Sequence, residues 1–136
     1  VVYIPDNELF TRLKGNGIES RNGGESEARS FAHQQDQKLI EFIKNADVAI
    51  LDSQYDADEY TTHVGWGHSC VLDSVALAAE AKVKNLVLFH HDPGHDDEKI
   101  SQMQSKAREL AAQLGGHTHV EAAREGLEIE VGPTNG

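Results

Sequence analysis

Three short apolar runs, VVYI at residues 1–4, VAIL at 48–51 and LVLF at 86–89, punctuate an otherwise polar chain. Each is followed within two residues by a carboxylate or an imidazole: Asp6, Asp52 and His90. Runs of four suit strands rather than helices, and the stretches between them carry apolar residues at helical spacing. Such alternation predicts an α/β fold built on a parallel sheet, and α/β folds place their chemistry at the C-terminal ends of the strands.

The spacing predicts the following elements. A strand covers Val1–Ile4, and the polar, glycine-bearing residues 11–30 form a long loop. A helix from about Phe31 to Asn45 turns Leu39, Ile40 and Ile43 to one face. Val48–Leu51 is apolar on both faces, as a buried parallel strand requires. Residues 53–68 form a second loop, and Ser69 is the expected N-cap of the helix VLDSVALAAEAK, with Asp73 in its first turn. Leu86–Phe89 is the third strand. A long helix over Asp96–Leu114 follows, with Ile100, Met103, Ala107, Leu110 and Leu114 as its apolar stripe and Gly115 as its stop. A last strand or hairpin covers about Val120–Val131. Neither a repeat nor a linker interrupts residues 1–136, which are expected to form a single α/β unit.

At 136 residues the chain is long enough for one core. Twelve basic against 23 acidic residues give a formal net charge of -11. That surface repels nucleic-acid phosphates and anionic membranes, so neither is an expected partner. The single cysteine, Cys70, excludes an internal disulfide. No apolar run is long enough to span a bilayer, and the expected location is cytoplasmic. The chain opens on VVYI without an initiator Met and ends in the tail GPTNG. The expectation is a fragment or processed piece that keeps its own C-terminus.

Five of the eight histidines fall between His63 and His95. His90 ends a strand, where it either meets a metal or hydrogen-bonds to a neighbouring carbonyl. His91 should point the other way, so at most one of the pair serves as a ligand. His68 lies at the positive end of a helix, a field that disfavours the imidazolium and suits a proton donor near neutrality. Asp52, ending the adjacent strand, is the carboxylate placed to orient it. The bland alternative for Asp52 and for Asp6, in PDNE, is turn chemistry. His63 and His95 are expected to be solvated, and His33, His117 and His119 have no evident partner. Trp66 either walls a pocket or is a half-buried loop aromatic. The helix start would lower the pKa of Cys70, although a packing role is the simpler reading.

Taken in order, VVYIPDNE, ADVAILDSQY, GWGHSCVLDSVALAAEAKVKNLVLFHHDP and EGLEIEV resemble the C-terminal half of a metallo-β-lactamase-fold hydrolase. The similar branch includes tRNA 3′-processing ribonucleases and cyclic phosphodiesterases. The resemblance implies half of an αββα sandwich. It implies that Asp6, in Pro-Asp-Asn rather than the family's Gly-Asp-Thr, bridges two metals and that His90 is the last metal ligand. His68 would assist the leaving group, held by Asp52. Two divalent ions, zinc first and manganese or iron as alternatives, would activate a hydroxide against a phosphodiester or similar ester of a small molecule.

The family's leading motif, His-x-His-x-Asp-His, is absent, as is the separate histidine after it. Asp6 and His90 alone do not hold two metals roughly 3.5–4 Å apart. The functional unit is therefore expected to include an N-terminal half, covalently or as a companion chain, without which this chain is inactive. Self-association is left open. Two rivals stand beside this reading: a receiver-like signalling module with Asp52 as phospho-acceptor, and a catalytically silent structural or dimerisation domain. Against the receiver, LVLFHHDP lacks the lysine that such a module needs after its later strand.

Overall fold

The strands pair in sequence order, β1-β2-β3-β4, and every pairing is parallel. The computed structural model describes residues 1–13 and 24–132. Along them run β1 (Val2–Ile4), α1 (Phe10–Leu13), α2 (Gly24–Ile43), β2 (Val48–Asp52), α3 (Ala57–Tyr60), α4 (Val71–Glu80), β3 (Asn85–Phe89), α5 (Asp97–Gln113) and β4 (His119–Ala122). Parallel neighbours need a crossover, and the helices between the strands supply it.

The two-residue period of the strands decides which face is covered. Ala49 and Leu51 of β2, Leu86 and Leu88 of β3 and Val120 of β4 join Ile40 and Ile43 of α2, Val71, Val75 and Ala78 of α4 and Met103, Ala107 and Ala111 of α5 in one core. The opposite face is lined by Tyr3, Ile50, Val87 and Phe89, with Leu127, Ile129 and Val131 of the C-terminal segment, around a shallow groove of about 390 Å3. Tyr3 is 55% exposed there and meets Phe89 edge-on. Helices therefore cover one face of the sheet, and the other is open along β1.

Register sets the positions of the candidate residues. Ile4 pairs with Leu51, Leu51 with Leu88 and Leu88 with Ala122, so the four strands end level. Asp6, Asp52 and His90 follow that line within two residues and share one rim.

Several boundaries differ from expectation. α2 begins at Gly24, inside the stretch expected to be loop, and α1 (Phe10–Leu13) runs into its start. Polar turns at the start of α2 carry no apolar period to announce them. The rest of that expected loop, residues 14–23, lies outside the described residues. Within the second expected loop, Asp56 caps α3 through a reciprocal box with Glu59. The N-cap of α4 is Cys70, not Ser69, and it makes no side-chain cap bond. A parallel bridge between Tyr55 and Cys70 extends the backbone there, while the Ser69 hydroxyl donates to Asn7 O. β4 stops at Ala122. Gly126, at φ 75°, turns the chain back, and the alternation of Leu127, Ile129 and Val131 fits an apolar side to the sheet face without ladder bonds.

Candidate metal centre

Asp6, Asp52, His68 and His90 converge at the strand rim, each offering one nitrogen or oxygen atom, all four within 4.8 Å of one another. His68 Nδ1 lies 2.7 Å from Asp52 Oδ2 and 3.9 Å from Asp6 Oδ1. His90 Nε2 lies 3.7 Å from Asp6 Oδ1. The His68 and His90 rings stack at 4.6 Å and 13°. The four residues to which the resemblance gave roles make up this group; His91, Trp66 and Cys70, also weighed from the sequence, are not in it.

Asp52 is 1% exposed. Its Oδ1 accepts from Gln54 N and Ser69 N, and its Oδ2 from Asn7 N and His68 Nδ1. Its own carbonyl accepts from the Ser74 hydroxyl of α4. This carboxylate is a hub tying the β1 and β2 ends to the start of α4. Since it only accepts, His68 presents Nδ1–H to it and keeps its Nε2 lone pair. A carboxylate with four partners and no solvent access is poorly placed to take a phosphoryl group, which argues against the receiver reading. Asp6 is by contrast 69% exposed at its side chain.

His90 has φ 63°, a left-handed conformation that costs a non-glycine residue roughly 1–2 kcal/mol. That turn at the end of β3 lets its ring meet His68 and separates it from its neighbour. His91 Nε2 bonds to Ala123 O at 3.0 Å, away from the cluster.

Two histidines expected to be solvated are not. His95 has a side chain only 6% exposed, with Nε2 2.8 Å from Glu59 Oε1. His63 stacks on Tyr55, meets Trp66 edge-on and bonds through Nδ1 to Glu59 O. Glu59, at N3 of α3, receives both: its carbonyl takes His63 four residues on, and its carboxylate takes His95, 36 residues away, where no local pattern signals it. Trp66 itself is 66% exposed. The thiol of Cys70 is also displaced from expectation: burial pushes its pKa up, outweighing the helix start.

Sequence reasoning missed three contributors. Glu8 is buried and accepts from Tyr60 Oη, Gly65 N and Gly67 N, holding the loop before His68. Gln54 joins His90 Nδ1 to Asp92 Oδ2. Asp92, whose carboxyl is held below the usual range first by Gln54 and then by the Gly94 amide, also closes its own turn. The one sequence signal that could have found any of them is the position of Gln54, two residues past a strand-ending aspartate.

The donor set itself fits a divalent metal. Mixed imidazole and carboxylate ligands suit zinc, manganese or iron. The oxygens of Asp52 and Nδ1 of His68 are already engaged, so within the group Asp6, His90 Nε2 and His68 Nε2 are the donors free to hold an ion.

Similarity to known proteins points the same way. No family model matches the sequence. The chain is 30% identical to the ribonuclease Z of Thermoplasma volcanium, over 77% of its own length and 36% of that protein's. Against the ribonuclease Z of Nitrosopumilus maritimus it is 29% identical, over 94% of this chain and 45% of that one. The metallo-β-lactamase fold protein YhfI from Bacillus subtilis superposes with a TM-score of 0.52 at 24% identity, over 66% of this chain and 33% of that one. The chain thus spans less than half the length of these relatives. Rim chemistry, parallel topology and these likenesses together identify it as a metallo-β-lactamase-fold protein related to the ribonuclease Z proteins.

Proposed function

We propose that this chain supplies part of the active centre of a metal-dependent hydrolase that cleaves a phosphodiester or similar ester. The observation that carries the reading is the convergence of Asp6, Asp52, His68 and His90 at the C-terminal rim of a parallel sheet. Asp6 and His90 hold the metal; zinc suits the pair best and manganese or iron also fits. A bound divalent ion supplies Lewis acidity and neutralises charge that builds on the ester in the transition state. His68 acts as the imidazolium, giving its Nε2 proton to the departing oxygen and returning to the neutral ring, while Asp52 holds Nδ1–H and stabilises the charged form. The name ribonuclease carried by the relatives supports a phosphodiester as the reacting bond.

Asp6 and His90 as ligands do not complete a dinuclear centre. The remaining ligands come from further polypeptide, covalently linked or as a companion chain, and the open apolar face of the sheet is consistent with such a neighbour. The test is native mass spectrometry of the purified protein in zinc, together with assay of a chromogenic phosphodiester on the assembled enzyme. His68→Ala is expected to lower kcat by about 100-fold or more, within the range for general acids, while zinc occupancy stays unchanged. Loss of metal with the rate spared would reverse the two role assignments.

A further inference from the structure

We propose that Gln54 and Asp92 form a relay that locks His90 in the Nδ1–H tautomer, so that its Nε2 lone pair is the one presented to the cluster. The inference deepens the proposed metal site and rests on His90 being a ligand. Gln54 is 8% exposed and spans two partners. Its Nε2 lies 3.1 Å from Asp92 Oδ2, and its Oε1 lies 3.0 Å from His90 Nδ1.

The direction of every bond follows from Asp92. A carboxylate accepts only, so the end of Gln54 facing it is the amide NH2. The other end is then the carbonyl oxygen, which can only accept. His90 Nδ1 must therefore donate, and Nε2 carries the lone pair. That nitrogen lies 3.7 Å from Asp6 Oδ1. Asp92 is itself fixed, because its Oδ1 accepts from Gly94 N at 2.8 Å. Ligating histidines commonly have their other nitrogen oriented in this way. Here an amide is interposed, which turns the carboxylate's preference into a tautomer two side chains away.

The interposed amide makes the relay invertible by one isosteric change. In Asp92→Asn, Gly94 N holds the Asn oxygen and the Asn NH2 faces Gln54. Gln54 must flip to accept from it, and its own NH2 then donates to His90 Nδ1. The lone pair moves to Nδ1 and the proton to Nε2. Gln54→Leu removes the relay without inverting it.

Both consequences are read by 15N spectroscopy of histidine-labelled, metal-free protein and by titration with zinc alone. Wild type is expected to show pyrrole-type Nδ1 and pyridine-type Nε2 for His90. Asp92→Asn should exchange the two signatures, Gln54→Leu should mix them, and either should weaken zinc binding by about 10- to 100-fold. An Nε2–H form in the wild type, or a His90 spectrum unchanged in Asp92→Asn, overturns the relay. If Gln54→Leu fails to fold, the isosteric variant still decides. If the wild type, assembled with the polypeptide that completes the centre, binds no zinc, the metal reading fails by itself, whereas zinc bound equally by all three assembled proteins refutes only the relay.

Discussion

Glu8 shows how one buried carboxylate sets the position of side chains it never touches. It sits two residues beyond Asp6 and is 8% exposed. It takes Tyr60 Oη at 2.7 Å, Gly65 N at 2.7 Å and Gly67 N at 2.8 Å. Gly65 and Gly67 reach it at φ 90° and 89°, values that only glycine adopts freely. His68 is the next residue, so Glu8 ties the loop bearing Asp6 to the loop bearing the proton donor. Glu8→Gln preserves the shape but sets an NH2 against one of three donors. The expected cost is about 2–3 kcal/mol, the range for a buried charge-assisted bond lost with its partner unpaired. Urea denaturation measures it, and a loss below about 0.5 kcal/mol, the level of an ordinary surface change, would falsify the tether. The four clustered residues were readable from sequence because each abuts an apolar run or a helix start. Glu8 was not, since its partners lie 52, 57 and 59 residues away and no local pattern encodes them.

At the scale of elements, β2, β3 and α5 were legible almost to the residue because each has a strong apolar period. α3 was missed even though Asp56-Ala-Asp-Glu59 spells its capping box; four residues between two turns carry no periodicity. Its link to α5 is Lys99, which pairs with Asp56 and lies 3.7 Å from Glu59 Oε1. Burial pushes the Asp56 carboxyl up, but the Glu59 amide and the Lys99 ammonium outweigh it and hold it below the usual range. The folded pKa is thus lower than the unfolded one. The stabilisation is present above the ordinary carboxylate range and is lost as pH falls through the folded value, because the unfolded chain takes up the proton first. Lys99→Met should therefore cost about 1 kcal/mol at pH 7 and progressively less below about pH 4. Denaturation at pH 7 and pH 3 compares the two. A gap of equal size at both would trace the loss to packing of the lysine stem.

For the whole molecule, the candidate donors arrive from three strand ends and one pre-helical turn, which only the folded chain brings together. A metal that binds them binds the native state and not the extended one, so it must raise the unfolding temperature by mass action. At a zinc concentration about 100 times Kd the gain is about 2.7 kcal/mol. For a domain of this size that corresponds to roughly 8–11 °C in Tm. Zinc taken up by histidines in the unfolded chain reduces the shift. For that reason the decisive comparison is with the double variant Asp6→Asn/His90→Ala, which keeps the other histidines and Cys70. A zinc-dependent rise that chelator reverses, present in the wild type and absent in the double variant, is the expected result. Equal shifts in the two proteins would mean that the ion binds elsewhere, and Asp6 and His90 would then not be the residues that hold it.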